Sequence, residues 1–357
     1  MLLLSLPIFY VLGMGCWLLI LTLSLLVCAN RLREWKGQPK KLRWIRWGLA
    51  LWTSLVMLTG VELCYALFYD QTDSFSMTNV SRRWYDLHVV RNAQGYRDNH
   101  PFLRRTAEGK QRILFLGDSF TFGHGVANVA DRFSDRTAAR LEQVHPGQFA
   151  VANLGNPGHG TPEAVKVLRD EILAKDYQAE LLIYTICLND IESFHDEKSR
   201  HDLQRGSRKP SFPLFRDTYF FNLMYFRLRQ FAQPEIRDYF SYLQDYYAGE
   251  PWVRMQSALD EFLELAKEHQ IDTRIVIFPF LHNLGPDYPF KAAHQKLSAY
   301  FRERGVRVLD LEPVLAAHAG ETLTVNRFDA HPNARAHQLA ADAIQTQLLD
   351  DVFQAAK

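Results

Sequence analysis

From Leu2 to Ala29 this 357-residue chain runs almost without charge, and from Gly48 to Phe68 it does so again. As helices, rising about 1.5 Å per residue, both stretches are about long enough to cross a ~30 Å hydrocarbon layer. The first 70 residues therefore read as a two-helix transmembrane hairpin, with spans at about 2–29 and 48–68. A cleaved signal peptide is an alternative for the first stretch. Against it, no basic segment precedes the stretch, and its length exceeds a usual signal core. A buried helical hairpin is a second alternative, and the continuity of the apolar runs argues against it.

Arg31, Arg33, Lys36, Lys40, Lys41, Arg43 and Arg46 crowd the segment between the two stretches. Basic loops stay on the cytoplasmic side, so both outer ends of the hairpin would face away from the cytoplasm. The expectation is a two-pass protein of the inner or plasma membrane with a periplasmic, or otherwise extracytoplasmic, C-terminal part. Trp44, Trp47, Tyr65 and Tyr69 fall where interfacial aromatic anchors are expected. Glu62 lies inside the second span, where a carboxyl is costly; it reads either as a contact to a partner helix or as a protonated or snorkelling side chain.

Over the whole chain 41 Lys+Arg and 40 Asp+Glu nearly cancel, so no electrostatic footprint for nucleic acid is present. Four cysteines do not make a disulfide framework. Cys16, Cys28, Cys64 and Cys187 all sit in apolar surroundings and read as buried free thiols.

Residues 71–110 are polar and mixed, and read as a membrane-proximal lead-in. From 111 to 357 the pattern alternates. Short apolar runs at 112–116, 149–154, 181–186, 274–278 and 306–310 are separated by amphipathic stretches such as 133–143, 161–173 and 252–269. Continuous apolar runs of this length suit strands buried on both faces, and helices between them suit parallel connections. The expected architecture is α/β: a flavodoxin-like three-layer α/β/α sandwich with a parallel five-stranded sheet, preceded by the hairpin. Residues 195–250 interrupt the alternation with a charged stretch (195–209) and then many aromatics, among them Phe212, Phe215, Tyr219, Phe220, Tyr225 and Phe226. Such an insertion suits a cap over the active site, a bilayer contact, or a satellite apolar cluster under a long loop.

Gly117-Asp118-Ser119 follows the first strand-like run directly, which sets a hydroxyl at the carboxyl edge of the sheet, where open α/β proteins place their chemistry. A nucleophilic serine needs a base. Phe328-Asp329-Ala330-His331-Pro332-Asn333 offers one: His331 reads as a loop residue before the last helix, Asp329 as its orienting acid, and Pro332 as fitting that helix's first turn. Oxyanion donors are available after the second run, at Asn153-Leu154-Gly155-Asn156-Pro157-Gly158, and after the third, at Asn189-Asp190.

These motifs, in this order, resemble the SGNH/GDSL hydrolase superfamily over roughly residues 90–350, including Gly95-Tyr96-Arg97. The resemblance implies Ser119 as nucleophile, His331 as base and Asp329 as acid. It implies an oxyanion hole of the Ser119 and Gly158 N–H groups with the Asn189 side chain. Asp329 stands two residues before His331 rather than three, with Phe328 at the usual acid position; this pairing is similar to that of some polysaccharide O-acetyltransferases. Cys187-Leu188 stands where the third block usually carries glycine.

The expected function is a membrane-anchored serine esterase of SGNH type, acting through an acyl-enzyme on an O-acyl ester of an envelope glycan or lipid. Two alternatives stand beside it. One is an O-acyltransferase that modifies an envelope polysaccharide with a partner membrane protein; the other is a degenerate binding or scaffold module. His124, His159, His282 and His337 read as packing or surface residues, with His337 the second candidate for the base. No Cys/His/Asp spacing suits a metal, and neither glycine loop fits a dinucleotide or phosphate loop, so no metal or cofactor is expected.

Overall fold

All five apolar runs are strands in the computed structural model, which describes residues 6–98, 100–194, 209–232 and 239–354. β1 (Gln111–Gly117), β2 (Phe149–Asn153), β3 (Leu181–Cys187), β4 (Asp272–Phe278) and β5 (Arg307–Asp310) form one parallel sheet in the order 2-1-3-4-5. That is the flavodoxin-like order. Every residue of β3 is buried, as a central strand covered on both faces requires.

Side chains alternate across the sheet, and the register shows which layer each one meets. Phe115 pairs with Ile183, and Leu116 with Tyr184. Phe115 packs edge-on against Phe133, at the start of the Phe133–Val144 helix, and Phe133 stacks on His337 of the Ala334–Ala343 helix. Tyr184 faces the other way, onto Phe262 of the Glu250–Glu268 helix, whose Trp252 meets Tyr300 of the Lys291–Glu303 helix. The result is three layers. Leu182, Ile183 and Ile186 are fully enclosed between them, and each contributes about 1.5–3 kcal/mol of hydrophobic stabilisation.

Two elements depart from the sequence reading. A two-stranded antiparallel hairpin, β6 (Thr324–Asn326) with β7 (Asp329–Pro332), precedes the last helix, so His331 lies on a strand rather than on a loop. Pro332 ends that strand. The helix begins after Asn333, whose Oδ1 accepts from the N–H groups of Arg335 and Ala336. In the lead-in, Asn79–His88 is a helix that buries Val80, Ser81, Arg83 and Trp84; its many polar residues hide the apolar stripe.

The described chain divides into two compact units: residues 1–87 with 206–233, and residues 88–205 with 234–357. The second holds the sheet. In the first, helices Ile8–Glu34 and Pro39–Leu67 are long and apolar enough to cross a membrane by length and composition. They lie antiparallel, tied by Trp17 Nε1 to Thr59 Oγ1 and Trp52 Nε1 to the Leu21 carbonyl, both at 2.9 Å. The helices run on past the apolar stretches into the basic segment, because Arg, Lys and Glu are good helix formers. Only residues 35–38 turn, with Gly37 at φ +93°. Cys16 and Cys64, expected to be buried, lie exposed on the outer surface of this pair. In the insertion, residues 195–208 and 233–238 lie outside the described residues. Pro213–Asp217, Phe220–Ala232 and Tyr239–Ala248 are helices.

Candidate active site

Three loops leave the carboxyl ends of β1, β2 and β3, which are neighbours in the sheet, and the β6–β7 hairpin meets them. After β1 the chain turns at once into the four-residue helix Ser119–Phe122, capped by the Asp118 carboxylate, which accepts from the Phe120 N–H at 2.8 Å. The cap fixes Ser119 in the first turn and is worth about 1 kcal/mol.

Ser119 Oγ lies 2.8 Å from His331 Nε2, and His331 Nδ1 lies 2.6 Å from Asp329 Oδ1. The His331 backbone N–H also donates to Asp329 Oδ1, at 3.1 Å. A neutral imidazole has one N–H, and the carboxylate claims it at Nδ1, so Nε2 is left to accept the serine proton. All three residues are buried, with Ser119 and His331 each retaining 8% exposure. The two-residue spacing has a structural reason. Along a strand, residues i and i+2 point to the same face, so on β7 Asp329 and His331 emerge together, whereas Phe328 lies outside the strand.

The acid is held from both sides. His124 Nε2 lies 3.2 Å from Asp329 Oδ2, and the His124 ring stacks on His331 with centroids 4.0 Å apart and an interplanar angle of 24°. Burial alone would push the Asp329 carboxyl up. The charge of His331 and the hydrogen bonds of both imidazoles outweigh this and hold it well below the usual range. His124 follows the serine by five residues, and its N–H donates to the Ser119 carbonyl at 3.0 Å. Its loop is pinned by the buried Arg97 guanidinium, which donates to the carbonyls of Gly123 at 2.7 Å and Val126 at 2.6 Å. Sequence reasoning set His124 aside as packing or surface; the available signal was its place in the same turn as the serine. His124, Asp329 and His331 also bring ligand-type atoms within 4.8 Å of one another, a grouping that the distant sequence positions conceal.

Gly155, in the loop after β2, comes so close to the serine turn that a Cβ would stand 2.6 Å from the Thr121 carbonyl carbon. The Asn156 N–H donates to the Gly117 carbonyl at 3.0 Å, and Asn153 Nδ2 reaches the Thr121 carbonyl at 2.6 Å. Gly158 sits exposed at the tip of this loop with φ +79°, a left-handed conformation that glycine adopts without strain. After β3, Asn189 bonds through its side chain to the Asp118 carboxyl, beside Ser119, and its Oδ1 has no hydrogen-bond partner among the described residues.

Ser119 Oγ also lies 3.4 Å from Asp118 Oδ2. Burial pushes the Asp118 carboxyl up to about 6, against the hydrogen bonds from Phe120, Asn189 and Ser119. Asp190 is raised well above its usual range by burial and the neighbouring Asp118 charge; its Oδ2 accepts from the Tyr184 hydroxyl at 2.8 Å. His337 is fully buried, accepts from the Phe133 N–H at 3.2 Å and is pushed down to about 3 by burial. His282 is pushed down to about 4 by burial. His159 Nε2 meets the Asn156 amide at 2.9 Å.

The sequence profile of the GDSL-like Lipase/Acylhydrolase family matches residues 115–339, well over half of the chain. The chain belongs to that family. It is a serine hydrolase acting on ester bonds. Among solved structures it is similar to a lipolytic protein of the G-D-S-L family from Veillonella parvula, at 16% identity over 66% of this chain and 97% of that one, with a TM-score of 0.39. It is similar to a catalytic mutant of an acetylxylan esterase from Geobacillus stearothermophilus, at 12% identity over 69% and 96%, with a TM-score of 0.42. It is also similar to a two-domain esterase active on acetylated mannans, at 15% identity over 69% of this chain, with a TM-score of 0.39. The chain spans 50% of that protein's length. Comparison with curated proteins gives no match.

Proposed function

We propose that the protein is a membrane-anchored esterase whose nucleophile is Ser119, and that it cleaves an O-acyl ester of an envelope glycan or lipid on the outer side of the membrane. The observation that carries this reading is the unbroken chain of short contacts from Ser119 Oγ to His331 to Asp329. Ser119 Oγ attacks the ester carbonyl while its proton passes to His331 Nε2. The negative charge forming on the carbonyl oxygen is met by the N–H groups of Ser119 and Gly158 and by the Asn189 amide. The imidazolium, steadied by Asp329, returns the proton to the leaving alcohol, and an acyl-Ser119 remains. Water then attacks the acyl carbon, His331 takes its proton, and the carboxylic acid leaves as Oγ is reprotonated.

Anchoring is supported by the two apolar helices, and the outward placement of the site by the basic turn between them. The test uses the full chain in detergent or vesicles. The wild type should be labelled by a fluorophosphonate and hydrolyse a short-chain aryl ester, and Ser119→Ala should do neither. Undiminished hydrolysis by a folded Ser119→Ala variant would overturn the assignment. With an acetylated glycan, free acetate is the expected product. Acyl transfer to a glycan hydroxyl faster than acetate release would replace the esterase reading with the transferase one.

A further inference from the structure

Glu62, the one acid within the second apolar stretch, is 2% exposed and fully engaged. Its Oε1 accepts from the Tyr10 hydroxyl at 2.9 Å and from the Tyr219 N–H at 2.7 Å, and its Oε2 accepts from the Phe220 N–H at 2.8 Å. The helix Phe220–Ala232 starts at this point, so a carboxyl from the hairpin caps this aromatic helix of the insertion. The rings close over the clasp: Tyr219 stands edge-on to Tyr10 at 5.1 Å, and Phe220 edge-on to Tyr65 at 5.2 Å. Asn79, at the start of the lead-in helix, binds the same stretch, its Nδ2 donating to the carbonyls of Arg216 and Thr218. The insertion is therefore fixed to the hairpin at a defined level.

The hairpin carries its own depth scale. Measured along the first helix, Tyr10 is about 31 Å from Arg31, and along the second, Glu62 is about 24 Å from Arg46. A hydrocarbon core is ~30 Å thick, and the basic turn marks its inner edge. The two helices independently set the clasp at, or a few ångströms inside, the outer edge. The helix it holds has two apolar sides. Leu223 and Phe226 are buried. Phe221, Met224, Tyr225 and Leu228, spaced i, i+3, i+4, i+7, form another face, on which Leu228 is 71% exposed. Just ahead, Phe212 is 60% exposed, and Phe68, at the end of the second hairpin helix, is 70% exposed. Phe68, Phe212 and Leu228, exposed on the same compact unit, are large apolar side chains with no reason to face water.

We propose that residues 212–232 form an interfacial segment seated in the outer leaflet. Leu228 and Phe212 would reach the upper acyl chains, and the backbone would run at headgroup depth. The segment then acts as a collar that fixes how far the hairpin sinks, and Glu62 is the residue that sets its height. The proposal rests on the membrane-anchored reading above, and the experiment separates the two.

Cys16, Cys28 and Cys64 are replaced by serine, leaving Cys187, which is buried. Single cysteines are then introduced as Leu228→Cys, Phe212→Cys, Ile20→Cys in the first span and Lys267→Cys on an exposed polar helix face. Each is labelled with an environment-sensitive fluorophore in the full chain, in vesicles of phosphatidylethanolamine and phosphatidylglycerol. Quenching by aqueous iodide is compared with quenching by a shallow nitroxide lipid. Labels at 228 and 212 should be quenched by the lipid, and about tenfold less by iodide than the label at 267, because an apolar zone excludes the anion. Iodide access at 228 and 212 equal to that at 267, with 20 protected, overturns the collar and leaves the anchor standing. Iodide access at 20 overturns both.

Discussion

His124 Nε2 stands 3.2 Å from Asp329 Oδ2, on the side of the carboxylate that His331 does not use. Both oxygens of the acid are thereby engaged by imidazoles whose rings lie stacked 4.0 Å apart. A strand-borne acid two residues from its histidine has the right face but little freedom to adjust its distance. A second donor on the far oxygen fixes its rotation, and with it the tilt of His331 towards Ser119.

Removing that donor should slow chemistry more than binding. His124→Phe keeps a ring for the stack and loses a hydrogen bond to a charged group, worth about 1.5–3 kcal/mol. We expect kcat to fall about 10- to 100-fold on a short-chain ester, with KM nearly unchanged. His124→Gln, which restores an N–H near the same place, should recover most of the loss. Near-wild-type kcat in His124→Phe with a loss in His124→Gln would mean that the ring shape matters and the donor does not.

How far the sequence discloses this arrangement depends on the range of each interaction. The five strands are legible because each is a continuous apolar run, and Ser119 is legible because Gly-Asp-Ser follows one of them directly. Asp329 and His331 are legible as a pair. Their strand is not: β7 gains its conformation by pairing with the three residues of β6, a run too short to show a pattern. His124 and Glu62 are hidden for a different reason. Each owes its role to a partner across the fold, Asp329 for one and Tyr219 with Phe220 for the other; the place of His124 in the serine's turn and the cost of an acid inside an apolar span mark the two residues without naming those partners.

The close packing of the β2 loop on the serine turn can be tested at Gly155. An added methyl would meet the Thr121 carbonyl carbon and the Phe122 N–H, both of them backbone that cannot swing aside. Gly155→Ala should cost about 1–3 kcal/mol of stability and displace the turn, as overpacked sites do. Thermal unfolding reads the first effect, and the fluorophosphonate labelling rate of Ser119 the second. Wild-type values for both would show that the loop yields easily.

Asp118 gives a pH-dependent prediction. Its carboxyl is raised to about 6 by burial, above the ordinary value of 3.8. The folded state therefore holds this proton more tightly than the unfolded one. The associated stability is fully present below about pH 4 and is lost as pH rises through about 6, which amounts to about 3 kcal/mol by neutrality. Asp118→Asn keeps the cap on the serine helix and removes the buried charge. It should unfold at a higher temperature than the wild type at pH 7.5, and the advantage should shrink towards pH 4.5. A difference independent of pH would place the effect in packing rather than in ionisation.

Asn189 is the residue at which the proposed oxyanion site can be tested apart from the architecture. Its side chain bonds to the Asp118 carboxyl beside Ser119, and its Oδ1 has no hydrogen-bond partner among the described residues. A donor that strengthens only as the tetrahedral oxygen gains charge lowers the barrier without tightening substrate binding. Asn189→Ala should therefore reduce kcat about 10²- to 10³-fold, with KM within a small factor of the wild type. The stability lost should not exceed that of the one hydrogen bond to Asp118, about 1.5–3 kcal/mol. Asn189→Asp should be at least as damaging, because it sets a carboxylate where negative charge must form and beside Asp118. A large fall in melting temperature with kcat preserved in the remaining folded fraction would assign the residue to the loop's structure, and the oxyanion would then rest on the backbone N–H groups of Ser119 and Gly158.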